Sequence, residues 1–125
     1  MVTSVLSVAL GGALGASLRY LSGLGITRLV GHGFPAGILV VNIVGSFLMG
    51  AFVVYAAKRG ATYLSPLVMT GFLGGFTTFS AFSLDAVTLY ERGQTGLAAT
   101  YVLVSVIGAI LALFLGIWVA RGVLS

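Results

Sequence analysis

The chain has 125 residues, of which 59% are hydrophobic and only 6% are charged, and its mean hydropathy is +1.19. This composition excludes an ordinary soluble globular domain and predicts a membrane protein. The formal net charge of +4 comes from residues at helix ends and in loops, where it favours contact with anionic lipid headgroups rather than with nucleic acid.

Four segments lack Asp, Glu, Lys and Arg over about the width of a bilayer: residues 1–18, 29–57, 61–84 and 93–120. About 20 apolar residues cross the hydrocarbon core of a membrane. We therefore predict an all-α membrane protein of one domain, with four transmembrane helices at about residues 3–24, 36–57, 65–90 and 95–120. The first segment has no Lys or Arg before its apolar run, so a mature helix is predicted there rather than a signal peptide.

The first two predicted helices carry small residues at the spacing of close helix contacts. Gly11 and Gly15 form one such pair, and Ser46 and Gly50 form another. Residues four apart share a helix face, and small ones let a neighbouring helix approach. Asn42 lies inside the second span, where an unpaired amide costs a few kcal/mol. It is expected either to bond across helices or to line a polar path.

The third predicted helix contains the motif GFLGGFTTFSAFS at residues 71–83. Gly74 and Gly75 make the backbone easy to distort, and the hydroxyls that follow can bond to backbone groups released by a break. A broken helix is tolerated in a membrane only where it is buried in protein or lines a polar cavity. We therefore predict a break at Gly74-Gly75, beside a functional site.

Aromatic and hydroxyl side chains recur after this predicted break. Phe76, Phe79 and Phe82 fall close to one stripe of a helical wheel, and Ser80 and Ser83 form a neighbouring stripe. Their rings and hydroxyls are predicted to face a common region.

The fourth predicted helix adds Tyr101 and Ser105 on one face. Ring edges are the positive part of an aromatic quadrupole, and amide and hydroxyl groups donate hydrogen bonds, so this set of side chains suits a small anion. Backbone carbonyls released by the break could also hold a cation. Asp85 is the one carboxylate close to membrane depth, and both a functional role and a helix-end charge stay open for it.

The charges that orient a membrane protein are divided evenly. With four spans, each side of the membrane receives three: Lys58, Arg59 and Arg121 on one side, and Arg19, Arg28 and Arg92 on the other. Because Lys and Arg bias sets orientation, we expect insertion both ways round. A chain that does so can pair with its inverted copy as an antiparallel, dual-topology homodimer.

The motif at residues 71–83 resembles the signature of the Fluc/CrcB fluoride channels. A glycine-rich first helix ending at Arg19, Asn42 in the second helix, and Tyr101 with Ser105 in the last follow in the family's order, so the resemblance covers essentially the whole chain. It implies an antiparallel homodimer with two fluoride pores and a central sodium ion. It also implies passive, selective export of fluoride across the plasma membrane of a prokaryote, which is the inner membrane in a Gram-negative cell.

The resemblance also implies roles for single residues. Phe79 and Phe82 match paired phenylalanines whose ring edges face fluoride, and the carbonyls of Gly74 and Thr77 match the sodium ligands. Arg19 matches an arginine of the pore vestibule. Together with the hydroxyl stripe, the predicted fluoride pore consists of Asn42, Phe79, Ser80, Phe82, Ser83, Tyr101 and Ser105.

The chain departs from the family pattern before and after the motif. Ile38 and Val40 stand where threonines are frequent, and Asp85 stands where a glutamate is usual. These changes bear on the polarity and conductance of the pore.

Two other membrane functions are alternatives for a chain with four spans. A proton-coupled small multidrug transporter needs a carboxylate in the first helix, where this chain has none. A non-transporting accessory subunit would give no flux when purified. An enzyme is not predicted, because one histidine and two carboxylates cannot supply a nucleophile, a base and an orienting group.

Overall fold

The computed structural model describes all 125 residues, and its regular structure is entirely helical. The third span is Thr62–Glu91 in the structure, and it is divided into a 3-10 turn, a π-helix and two α-helices. Four helical stretches are long and apolar enough to cross a membrane, which confirms the all-α prediction with four spans. The elements in chain order are α1 (Val2–Val30), α2 (Ala36–Arg59), the 3-10 turn (Thr62–Leu64), the π-helix (Pro66–Leu73), α3 (Gly74–Phe76), α4 (Phe79–Glu91) and α5 (Thr95–Leu124).

Glycines with positive φ end the first two helices. Gly31, with φ of 86°, follows α1, and Gly60, with φ of 65°, follows α2. Glycine adopts these left-handed conformations at little steric cost and so closes a helix. No such residue ends the first helix at position 24, and α1 continues to Val30, beyond the predicted boundary.

The α2 and α5 helices pack extensively against each other and run parallel. Gly108 of α5 faces Ile43 of α2, and Gly116, further along, faces the backbone at Ala51. A Cβ atom on Gly50 would collide with the carbonyl of Leu113, so Gly50 lies at a close helix contact as predicted. These contacts hold α2 and α5 in one register over the middle of α2, from Ile43 to Ala51.

A glycine seam, formed by Gly11, Gly15 and Gly75, joins α1 to the third span. A Cβ on Gly11 would collide with the carbonyl of Leu67, and one on Gly15 with the carbonyl of Phe72. A Cβ on Gly75 would lie 2.8 Å from the carbonyl oxygen of Gly12 in α1. The close approach predicted from Gly11 and Gly15 is therefore confirmed, and Gly75 contributes to it from the other side.

Two threonines interrupt the third span. Thr77 has φ −91° and ψ 160°, and Thr78 has φ −155° and ψ 128°, both extended. Gly74 has the helical values −63° and −38°. The predicted location of the break at Gly74-Gly75 is thus wrong. Gly75 serves close packing against α1, whereas β-branched threonine readily adopts the extended backbone.

This interruption separates Phe76 from the two phenylalanines that follow it. Phe76 is buried and stacks on Phe72, with ring centroids 6.2 Å apart. Phe79 begins α4 beyond the extended residues and is 77% exposed. The predicted stripe of three phenylalanines is therefore wrong, because Phe76 does not share a continuous helix with Phe79 and Phe82.

Only 18 of the 125 residues are buried, and many large apolar side chains are exposed. Along α1 the outward face is a row of leucines that are between 45% and 64% exposed: Leu6, Leu10, Leu14, Leu18 and Leu21. Exposure of this row to water would be unfavourable, whereas contact with lipid tails is not, because hydrocarbon is as apolar as leucine. One cluster of buried side chains lies between α4 and α5 and consists of Phe82, Leu89, Ala98 and Tyr101.

Candidate functional site

A cleft of about 270 Å³ lies between α2, the interruption and α5. It brings together polar side chains from α2 and from Thr77 and Thr78 with two aromatic rings from α4. The side toward α5 is apolar apart from one serine. Its lining residues are Asn42, Ser46, Thr77, Thr78, Phe79, Phe82, Ser105, Val106, Ala109 and Ile110.

The side chain of Asn42 holds the interruption in place. Its Nδ2 donates to the carbonyl of Thr78 at 3.0 Å, and its Oδ1 accepts from the N–H of Thr78 at 2.8 Å. In a continuous helix that N–H would donate to the carbonyl of Gly74. Asn42 therefore bonds across helices, which is one of the two interpretations left open by the sequence, and it also lines the cleft. The second hydrogen on Nδ2 stays free to face the cleft.

The two threonine hydroxyls bond to the helix ends on either side of the interruption. Thr77 Oγ1 donates to the carbonyl of Leu73 at 2.8 Å, and Thr78 Oγ1 accepts from the N–H of Ala81 at 3.2 Å. Thr78 is thus the N-cap of α4, where a hydroxyl satisfies an N–H group that lacks a helical partner. The methyl group of Thr77 fills the space over Gly45 of α2.

An aromatic row runs from the cleft into the core. The ring centroids of Phe79 and Phe82 are 5.5 Å apart, and those of Phe82 and Tyr101 are 5.3 Å apart. Phe34, from the loop before α2, meets Tyr101 edge to face at 5.5 Å. Phe82 and Tyr101 are buried, so their rings are fixed by packing on several sides.

Ser105 has the one buried side-chain oxygen in the chain without a hydrogen-bond partner. The residue is 5% exposed and lines the cleft. Leaving a buried hydroxyl unpaired costs about 1–3 kcal/mol. Such a group in a cleft is a candidate donor to a ligand that enters it.

A second cavity, of about 490 Å³, lies at the end of the molecule where α1 finishes and α2 begins. Arg19, His32 and Asp85 all line it. Asp85 accepts a hydrogen bond from the hydroxyl of Tyr101 at 3.2 Å, and Tyr101 in turn packs on Phe82. This contact links the second cavity to the aromatic row.

Arg19 donates from Nε to the carbonyl of Gly75 at 3.0 Å. Gly75 lies in α3, whose C-terminal carbonyls have no helical partners beyond the interruption. The guanidinium therefore satisfies one of these carbonyls while it also faces the second cavity.

Comparison with known proteins identifies the family. The model of a family described as CrcB-like protein, Camphor Resistance (CrcB), matches residues 6–117. The chain belongs to the CrcB family. The resemblance seen in the sequence is thereby confirmed.

Relatives of this CrcB chain carry a functional name. A protein of Ruegeria sp. (strain TM1040) named fluoride-specific ion channel FluC is 64% identical over 126 aligned positions, covering 100% of both chains. A protein of the same name from Cereibacter sphaeroides (strain ATCC 17029 / ATH 2.4.9) is 62% identical over 98% of both chains. One from Mesorhizobium japonicum is 56% identical over 94% of this chain and 96% of its own. Together with its four helices apolar enough to span a membrane, these bacterial relatives make the CrcB chain a multi-pass prokaryotic membrane protein.

Five of the residues predicted from the sequence line the first cleft of this CrcB chain: Asn42, Thr77, Phe79, Phe82 and Ser105. The others lie around it. Tyr101 is buried behind Phe82, and Arg19 lines the second cavity. Ser83 donates to the carbonyl of Phe79 at 3.0 Å, and the exposed Ser80 lies beside Thr78 with their hydroxyl oxygens 3.4 Å apart. Gly74 lies at the start of α3.

Sequence reasoning did not place Ser46 in the site, and it predicted the Thr78 hydroxyl as a partner of the broken backbone without naming Thr78 as a pore residue. Ser46 follows Asn42 by four positions, and that spacing on a helix puts both on one face. Thr78 lies in a stretch that is predicted to be helical, because the break is predicted at the glycines before it. The two departures from the family pattern lie elsewhere: Ile38 lines the second cavity, and Val40 is 40% exposed.

Proposed function

We propose that this chain is a channel that conducts fluoride passively and selectively across the plasma membrane. The cleft that holds the unpartnered hydroxyl of Ser105 against Phe79 and Phe82 carries the proposal. Whole-length relatives at 62–64% identity with the name fluoride-specific ion channel support it.

The chemistry of the cleft fits a small anion. Ser105, Ser46 and the free hydrogen of Asn42 can donate, whereas the lining contains no carboxylate that would repel fluoride. The rings of Phe79 and Phe82 are tilted by 48° relative to each other, so that an ion beside them can meet ring edges. Fluoride holds its water tightly, and a narrow row of donors that replaces this water would exclude larger anions by size.

A second copy of the chain is proposed to complete the pore. Phe79 is 77% exposed although it lines the cleft, so a single chain leaves one side of the cleft open. The even division of Lys and Arg favours a copy of opposite orientation. The proposed assembly is therefore an antiparallel, dual-topology homodimer with two pores.

Sodium is proposed as the structural ion of that dimer. The chain has no group of three or more His, Cys, Asp or Glu residues that could hold a metal, which leaves backbone oxygens as ligands. Backbone carbonyl oxygens are suitable ligands for a hard cation. The carbonyl oxygen of Gly74 lacks its usual helical partner, because the Thr78 N–H bonds to Asn42 instead. The carbonyls of Gly74 and Thr77 would hold the ion. When bound, it would supply a positive charge between the two copies.

Fluoride export would protect a cell in an acidic medium. HF crosses membranes in its neutral form and dissociates in the more alkaline interior, so that fluoride accumulates there. A passive channel lets the anion leave down its gradient without an energy source.

Fluoride efflux from liposomes that contain only this purified protein tests the function. A fluoride electrode measures release, a potassium ionophore balances charge, and chloride-loaded liposomes serve as the matched comparison. We expect fast fluoride release and little chloride release. No fluoride release from liposomes that contain the folded protein contradicts the proposal and favours an accessory subunit.

Dual topology has its own test. A tag on the loop after α2 is labelled from each side of sealed cells, and equal labelling from both sides is expected. Labelling from one side alone would show a single orientation and remove the basis for the antiparallel pairing.

A further inference from the structure

Three of the six cationic side chains lie together at one end of the molecule, where the chain has no acidic side chain. Because α2 and α5 run parallel, they finish at the same end, and Lys58, Arg59 and Arg121 lie in their last turns. These three exposed residues form what we call the cationic end. Ala56 of α2 and Ala120 of α5, each within three residues of these cations, are buried.

Both acidic residues of the chain lie toward the opposite end. Asp85 and Glu91 belong to α4, and its Leu89 packs with Ala98 near the start of α5. That end has three cationic and two anionic side chains, whereas the cationic end has three cationic and no anionic ones. The even count of Lys and Arg therefore conceals an uneven net charge.

Helix dipoles do not offset this difference. At the cationic end α2 and α5 finish while α1 and the third span begin, so two negative and two positive helix ends meet there. The opposite end has the same balance. The helix ends therefore leave the difference in side-chain charge between the two ends unchanged.

The cationic end also carries an interfacial side chain. Trp118 is 72% exposed, lies about one turn before Arg121, and shares with it a shallow surface pocket on α5. Exposed tryptophan is enriched at the level of lipid headgroups. The guanidinium of Arg121 would therefore lie at headgroup depth, where a phosphate is the anion within reach.

We propose that the cationic end binds the headgroup phosphate of an anionic phospholipid, through Arg121 together with Lys58 and Arg59. Guanidinium groups bind phosphate oxygens through paired hydrogen bonds, and lysine adds a positive charge. The surface binds anionic lipid in preference to zwitterionic lipid because the latter brings its own cation. This inference rests on the charge distribution and stands apart from the proposed transport function.

The single tryptophan of the chain reports directly on this surface. The protein is reconstituted in bilayers in which either phosphatidylglycerol or phosphatidylcholine carries bromine in the upper part of its acyl chains, and the quenching of Trp118 fluorescence is compared. The ratio of the two gives the preference for anionic lipid beside Trp118. We expect phosphatidylglycerol to quench more strongly than phosphatidylcholine at equal mole fraction.

Two double variants distinguish the effect of the cationic end from the effect of the protein's overall charge. Each variant loses two positive charges, but from opposite ends of the molecule. The variant Lys58→Gln with Arg121→Gln removes two cations from the cationic end. Each substitution should lower the preference for phosphatidylglycerol over phosphatidylcholine by about fivefold, until no preference is left. Arg28→Gln with Arg92→Gln removes two from the opposite end and should leave it unchanged. Gel filtration and fluoride efflux check that both variants are folded.

Two outcomes overturn the proposal. Equal quenching of the unmodified protein by the two lipids means that the cationic end has no preference. An equal loss of preference in both double variants means that the attraction comes from the diffuse charge of the whole protein and not from this surface.

Discussion

The amide of Asn42 and the peptide group of Thr78 face each other and form two hydrogen bonds, one in each direction, at 3.0 and 2.8 Å. A side-chain amide has the same donor and acceptor as a peptide group, so Asn42 supplies what a neighbouring strand would supply in a sheet. It thereby makes two extended residues acceptable inside an apolar span.

Replacement of Asn42 by alanine should destabilise the protein and abolish fluoride flux. The N–H and carbonyl of Thr78 would both lose their partner, at a cost of about 1–3 kcal/mol for each group that stays dry. Thermal unfolding in detergent and fluoride efflux measure the two effects. Ser46→Ala is the matched control, because Ser46 lines the same cleft without contacting Thr78 through a hydrogen bond; its stability should change little. Equal stability losses in the two variants would mean that the paired bonds do not support the interruption.

Substitution of isoleucine for either cleft phenylalanine should stop fluoride flux, but the effects on stability should differ. Phe82 is buried, so Phe82→Ile should lower the free energy of unfolding by about 1–3 kcal/mol. Phe79 is 77% exposed in the single chain, so Phe79→Ile should lower it less. Efflux measurements test the first point and thermal unfolding the second. Gel filtration should show that the proposed dimer persists. Phe114→Ile, on the outward face of α5, is the control and should retain flux; full flux in Phe79→Ile and Phe82→Ile would refute the roles assigned to these rings.

The substitution Ser105→Ala should affect fluoride flux without lowering the stability of the protein. Removal of an unpaired buried hydroxyl should leave stability equal or slightly higher, because its desolvation cost disappears. Fluoride flux should nevertheless fall by about tenfold, the effect of one lost hydrogen bond to an anion. Thr100→Ala is a control on the same helix, since its hydroxyl already donates to the carbonyl of Gly96 at 2.9 Å. A variant Ser105→Ala with normal flux would exclude this hydroxyl from the path.

The glycine seam can be tested with two alanine substitutions in one helix. Gly15→Ala places a Cβ against the carbonyl of Phe72 and should cost at least about 1–3 kcal/mol, because two backbones must move apart. Gly25→Ala meets no atom within 4 Å and should stabilise α1 by up to about 1 kcal/mol. Thermal unfolding of the purified variants decides between these signs. A loss of stability in both would point to helix flexibility and not to close packing.

The sequence was sufficient for the properties that depend on local pattern. Four apolar stretches predicted four spans, and paired small residues predicted the close approach at Gly11, Gly15 and Gly50. An amide inside a span predicted that Asn42 would find a partner. Each of these conclusions follows from the cost of placing a given group in hydrocarbon.

The position of the interruption could not be obtained in this way. Two adjacent glycines are compatible with a break and equally with a close helix contact, and Gly75 is used for the contact. The partner that selects Thr78 lies 36 residues away in the sequence, in another helix. Only the tertiary arrangement distinguishes the two uses of glycine, and Phe76 was assigned to the wrong face as a result.

The Asn42–Thr78 pair also has a consequence for the order of biosynthesis. A membrane chain is made from its N-terminus, so α2 enters the bilayer before the third span does. The amide of Asn42 is therefore already present when the extended residues arrive, and the exposed peptide group of Thr78 meets a partner at once. In a circularly permuted chain that starts at the third span, the same peptide group would enter lipid alone, and we expect slow or failed insertion although every native contact remains available.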